Sequence, residues 1–116
     1  MIKKILAGIL MSAMLVSNVY AYTESLGTFT LTFYCPCRKC SGKWGRKTAS
    51  GATCEEGRTI AVDRRVIPLG THIIINGHEY IAEDTGVYGN RIDVFMESHS
   101  ECLRNGVQKA EVFVVK

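Results

Sequence analysis

The sequence predicts a small, mainly β domain: about six short strands closed or nearly closed into a barrel, one short helix, and a long Cys- and Gly-rich loop. Three observations carry this. Apolar runs of strand length recur from Leu26 to Val115, separated by Gly, Asn and Pro turn signals. Only one stretch has both a helix start and a helix stop signal, Ser98 to Gly106. Many short strands in one small domain leave exposed edges unless the sheet closes on itself.

Residues 26–34 alternate Phe29, Leu31 and Phe33 with threonines, the pattern of a half-buried strand. From Cys35 to Gly57 no period is visible, so this is a long loop, and long loops in small domains tend to be functional. Thr59 to Asp63 reads as a second strand, followed by a turn over Ile67 to Gly70. Asn76 and Gly77 split His72 to Ala82 into two apolar runs. That is a two-residue hairpin signal, because both turn positions need positive φ. Arg91 to Met96 is another strand. Ser98 and Glu101 form a capping box, and Asn105 and Gly106 end the helix it starts. Ala110 to Val115 closes the chain as a strand.

The first residues carry an export signal. Lys3 and Lys4 precede an apolar run from Ile5 to Val16, roughly 12 residues and short of the roughly 20 a bilayer span needs. A signal peptide over 1–21, ending at Ala21, and a single domain over 22–116 are expected. No cysteine sits near the cleavage point to carry a lipid. Removing the two leader lysines brings the net charge from +3 to about +1. The mature chain has no basic tract for nucleic acid and no amphipathic membrane helix. A secreted monomer without stable membrane association is expected.

Cys35, Cys37, Cys40, Cys54 and Cys102 all lie in the exported part. Export permits disulfides, and an odd count leaves at least one thiol over. The first four also have the composition of a tetrahedral thiolate site for zinc, though without the paired spacing of a ribbon or finger. Disulfides, zinc and free thiols all remain open on the sequence. Cys102, beside Leu103 in the helix, reads as a small buried residue.

The chemistry is concentrated in three aspartates. Asp63 and Asp84 end apolar runs and Asp93 sits inside one, although strands usually avoid Asp. Strand alternation puts Ile92, Val94 and Met96 on one face and Arg91, Asp93 and Phe95 on the other. With the aliphatic face inward, Asp93 points out onto the barrel wall. Each aspartate also has a plain structural reading, as an Asx turn at Asp63 or Asp84 and an ion pair at Asp93. His72, His78 and His99 lack metalloprotease spacing and read as structural. Ser50 and Ser98 have no matching triad pattern. Trp44 is a candidate sugar platform, with core filling as the plainer alternative, and Tyr34 and Tyr88 have the chemistry to line a glycan groove.

The segments Thr48 to Gly51, Gly57 to Asp63, Val66 to Thr71, Ala82 to Gly86 and Gly89 to Phe95 together resemble the 3D domain, a family named for three aspartates. Ser98 to Glu101, Gly106 with Val107, and Glu111 to Phe113 continue the likeness, and Cys35 to Trp44 looks like the opening of many such domains. The resemblance implies a double-psi β-barrel related to the catalytic barrel of membrane-bound lytic transglycosylase A. It implies similarity to secreted, cell-wall-associated muralytic enzymes of Gram-positive bacteria. Those enzymes cleave peptidoglycan glycan strands between muramic acid and glucosamine, forming an anhydro ring without adding water. Carried over by position, Asp93 is the catalytic acid and base, and Asp63 and Asp84 shape its site. Trp44, Tyr88 and Arg91 are the expected substrate contacts. No cofactor and no catalytic metal ligand is implied. The family usually reads Asp-x-Gly-Gly-Ala-Ile-Lys-Gly-Asn after the second aspartate. Here the run from Asp84 to Asn90 is two residues shorter, with Val87 and Tyr88 where Ile and Lys fall. The alternative expectation is a barrel that binds peptidoglycan or another polysaccharide without turning it over.

Overall fold

Alternation of apolar and polar residues turns one face of each strand inward, and six such strands close on themselves. The computed structural model describes residues 23–116; the expected signal peptide lies outside the described residues. The strands are β1 (Thr23–Tyr34), β2 (Thr59–Ala61), β3 (His72–Ile75), β4 (His78–Asp84), β5 (Arg91–Phe95) and β6 (Gln108–Val115). They form a closed barrel in the order β1-β5-β2-β4-β3-β6. β1 runs parallel to β5 and β2 parallel to β4, while the other neighbours are antiparallel. Two parallel contacts in an otherwise antiparallel barrel agree with the expected double-psi architecture.

The interior is apolar. Phe29, Leu31, Ile60, Ile73, Ile92 and Val112 are among the buried side chains that fill it. Ile92 and Val94 face this core, so the intervening Asp93 is on the outer wall, as its alternation requires. The β3–β4 hairpin turns at Asn76 and Gly77, with φ of 51° and 77°, the positive values that this two-residue turn demands.

Among the described residues two helices occur where the sequence signals only one. α1 (Arg38–Ser41) and a 3-10 turn (Gly42–Trp44) lie inside the long loop, and α2 (His99–Asn105) is the expected capped helix. A four-residue turn is too short to display a helical period, so composition alone hides it. At α2 the Ser98 hydroxyl accepts from the Glu101 amide. The Glu101 carboxylate pairs with Arg104.

The loop covers part of the outer wall and creates a second, smaller core. Tyr34, Cys54, Ala61 and Phe95 cluster beneath it, with the Tyr34 and Phe95 rings edge-to-face at 5.4 Å. Arg46 holds the loop to the end of β5 through two bonds to Glu97, at 2.7 and 2.6 Å.

The facing of β5 is open to a direct test by urea unfolding. Ile92→Ala is expected to cost about 2–4 kcal/mol, and Arg91→Ala less than about 1 kcal/mol. Equal losses would contradict the assignment of inner and outer faces.

Candidate active site

β2 carries a small residue, Ala61, on its outer face, and both of its neighbours place an aspartate beside it. Ala61 registers with Asp93 across the antiparallel β2–β5 contact. It also registers with Asp84 across the parallel β2–β4 contact, through a shift that skips Glu83. The skipped residue points to a buried polar pin: the Glu83 carboxylate accepts from Thr59 Oγ1 at 2.7 Å and from Arg58 Nε at 3.0 Å. On the far side of Asp93, Thr32 of β1 is its register partner. Thr32, Asp93, Ala61 and Asp84 therefore form one row across four strands.

Asp93, Ala61 and Asp84 of that row floor a cleft of about 470 Å³, within the usual range for small-ligand sites. Trp44 and Thr48 from the long loop, and Gly86 after β4, complete the walls. Trp44 is well exposed, with Lys43 Nζ 5.1 Å from its ring centroid. It lies at the rim of the cleft and has no part in the core. Tyr34, left without a requirement by its spacing, proves central. Its hydroxyl donates to Asp84 Oδ2 at 3.2 Å. Burial, and then the Asp84 charge, pushes the phenol above its ordinary value, so Tyr34 stays a donor at any physiological pH.

The two cleft aspartates differ in surroundings. Asp84 Oδ1 also accepts the amides of Ala49 at 3.1 Å and Thr85 at 2.9 Å, so its carboxylate is heavily bonded. Asp93 has one side-chain donor, Thr32 Oγ1 at 3.1 Å. Arg91 Nε reaches the same threonine oxygen at 3.4 Å. Burial raises the Asp93 carboxyl above the ordinary value, and the Asp84 charge adds to the rise. The Thr32 bond and Arg91 oppose it. The pair has a form suited to acid chemistry, one carboxyl pushed toward its protonated form beside another that accepts three hydrogen bonds.

Asp63 does not line the cleft. Its carboxylate accepts from Arg65 through the backbone amide, Nε and Nη2 at 3.0, 3.1 and 3.0 Å, and from the Gly89 amide at 2.9 Å. It thereby tethers the shortened connection between Asp84 and β5. Val87 in that connection is buried and Tyr88 is exposed, and neither lines the cleft. The structure therefore brings together Asp84, Asp93 and Trp44, keeps Arg91 beside Asp93 through Thr32, and sets Asp63 and Tyr88 apart.

Among the described residues no disulfide joins any two of the five cysteines, and Cys54, one of the four in the expected thiolate set, belongs to the small core under the loop, 3.7 Å from the Tyr34 hydroxyl. Cys35, Cys37 and Cys40 gather instead around His99. This histidine lies about 60 residues away, where no local spacing signals it.

Fold and site define a small closed β-barrel with a two-carboxylate cleft on its wall. The chain belongs to the 3D domain family, whose description matches residues 58–116, from the start of β2 to the end of the chain. Among curated proteins it is 35% identical over 111 residues to YabE of Bacillus subtilis, described as cell wall shaping, covering 90% of this chain and 26% of that protein. It is 44% identical over 61 residues to the cell wall-binding protein YocH of the same organism, covering 50% of this chain and 21% of YocH. Among solved structures it resembles MltA from E. coli, with a TM-score of 0.53 and 26% identity, covering 60% of this chain and 27% of MltA. A structure of MltA with bound chitohexaose aligns with the same TM-score, 0.53, at 24% identity. The chain spans about a fifth to a quarter of the length of these proteins.

The tether at Asp63 has a pH signature. The folded protein holds this carboxyl well below the usual range, chiefly through Arg65 and the Gly89 amide. Its contribution to stability is therefore present above the unfolded value of about 4 and lost as pH falls through the acid range. Asp63→Asn is expected to lower the thermal midpoint by several degrees at pH 7, with the gap to wild type narrowing below about pH 4. A gap that does not change with pH would contradict the tether.

Proposed function

We propose that the protein is a secreted lytic transglycosylase of peptidoglycan, with Asp93 as its acid and base. The observation that carries this is the placement of Asp84 and Asp93 on either side of Ala61, on the floor of a cleft edged by Trp44. Membership of the 3D family, the likeness to MltA and the cell-wall descriptions of the Bacillus relatives support the substrate class.

In this reading a glycan strand lies along the outer wall, with one sugar ring against Trp44. Protonated Asp93 donates to the glycosidic oxygen between muramic acid and glucosamine as the bond to the muramyl anomeric carbon breaks. The glucosamine side leaves as an alcohol. The muramyl residue's own primary hydroxyl then attacks the anomeric carbon, and Asp93, now a carboxylate, takes the hydroxyl proton. The anhydro ring closes, no water is consumed, and Asp93 ends protonated as it began. Asp84, oriented by Tyr34 and two amides, adds its charge to the rise that keeps the Asp93 proton in place and faces the positive charge that develops on the sugar. Asp63 acts through the 85–90 connection that positions both carboxylates.

One feature favours a second reading, a wall-binding barrel without turnover. The connection after Asp84 is short and presents Tyr88 outward in place of the family's lysine. Mass spectrometry of peptidoglycan digested by the purified chain separates the two. Anhydromuropeptides are expected from the wild type, with yield reduced at least about 100-fold in Asp93→Asn. Products with reducing ends would replace the transglycosylase by a hydrolase. Absence of products together with pelleting on intact walls would establish the binding barrel.

A further inference from the structure

Three cysteine sulfurs and one imidazole nitrogen converge beside the cleft, and the glycan chemistry uses none of them. Sγ of Cys35, Cys37 and Cys40 lie 3.6, 3.6 and 3.4 Å from Nδ1 of His99. All four atoms fall within 4.8 Å of one another. Hydrogen bonding does not account for this arrangement. A ring nitrogen carries one proton or one lone pair, so it serves one thiol well and not three. A tetrahedral metal centre does account for it. With zinc–sulfur distances near 2.3 Å and zinc–nitrogen near 2.0–2.1 Å, the sulfur–nitrogen edge of a regular tetrahedron is about 3.5–3.6 Å. The three observed separations agree with that edge.

We infer that Cys35, Cys37, Cys40 and His99 form a structural zinc site that anchors the segment 36–49 to the barrel. Three thiolates and one imidazole in tetrahedral array suit zinc over calcium or magnesium, which take oxygen ligands. Protein atoms fill all four positions, so the site is closed and offers no place for a reacting water.

The barrel prepares the site from three directions. The Met96 amide donates to the Tyr34 carbonyl at 2.8 Å, which brings the end of β1, and hence Cys35, beside the chain leading into α2. The turn from Cys37 to Ser41 closes through the Ser41 amide on the Cys37 carbonyl at 2.8 Å. The Ser41 hydroxyl on the Cys35 carbonyl, at 2.6 Å, locks it further. His99 opens α2, directly after the Ser98 cap. Cys54 and Cys102 stay outside the set. Zinc here would brace the wall of the cleft, because Cys40, Ser41 and Trp44 border it and the Ala49 amide binds Asp84.

The purified full chain, incubated with one equivalent of Zn²⁺ under reducing conditions and freed of excess by gel filtration, gives the test. About one zinc per chain is expected by elemental analysis, and Co²⁺ in its place should show thiolate charge-transfer and tetrahedral d–d absorption. Cys40→Ser and His99→Ala should each lower retained zinc at least about ten-fold, while Cys54→Ser and Cys102→Ser retain it. Chelating the wild type should lower its thermal midpoint by about 5 °C or more and speed amide exchange over residues 36–49. A chain that retains no zinc while its thiols titrate as free would overturn the site. So would a disulfide among Cys35, Cys37 and Cys40 in the zinc-treated protein, or Cys54→Ser losing metal as fully as His99→Ala.

Discussion

The site depends on the register of a three-residue strand. β2 lies between β4 and β5, and Ala61 at its end is opposite an aspartate on each side. A methyl group is the whole of its side chain, so the carboxylates face a common space that a larger residue would fill. The shift that aligns Asp84 with Ala61 is fixed by Glu83, whose buried carboxylate is satisfied by Thr59 and Arg58. A buried carboxylate without those partners would cost several kcal/mol, which makes the offset hard to slip. The Asp84 and Asp93 pair thus owes its geometry to a neighbouring carboxylate that does not line the cleft.

Around this floor the walls are held by few bonds, each reaching far along the chain. The loop of residues 35–57 has little core of its own. It is fixed by Arg46 to Glu97, by the Ser50 amide to the Glu83 carbonyl at 3.0 Å, and by the Ala49 amide to Asp84. The opposite connection, after Asp84, is held by Asp63 through Gly89, and the Asn90 carbonyl then accepts from Thr30 to begin β5. Two of the three aspartates thus spend part of their bonding capacity on loops, and Asp93 is left with the fewest donors.

What was legible in the sequence was what local pattern determines. Asn76 and Gly77 specify their turn because only the turn needs two positive φ values, and Asp93 faces outward because a strand alternates strictly. Ser98 marks the start of α2 for the same local reason. The shift at Glu83 was invisible, since it depends on which strand β4 meets. Tyr34 ends an alternating strand like any aromatic, and only the loop folded over it gives its hydroxyl a partner. Tyr88 carries no local signal of its facing, and the shortened loop turns it to solvent outside the cleft lining. His99 carried no spacing signal toward the cysteines, because the barrel and not the chain brings them together. Local sequence gave the elements and their faces; long-range pairing made the site.

The measurement that most directly tests this account is a carboxyl NMR titration of Asp93 in the wild type and in Asp84→Asn. Burial beside a second carboxylate should make Asp93 titrate above the ordinary aspartate value of about 3.9. Removing the Asp84 charge should bring it part of the way down, with the remainder left to burial. Titration of Asp93 at or below the ordinary value, or a value that Asp84→Asn leaves unmoved, would contradict the pairing across Ala61 as the source of the acid.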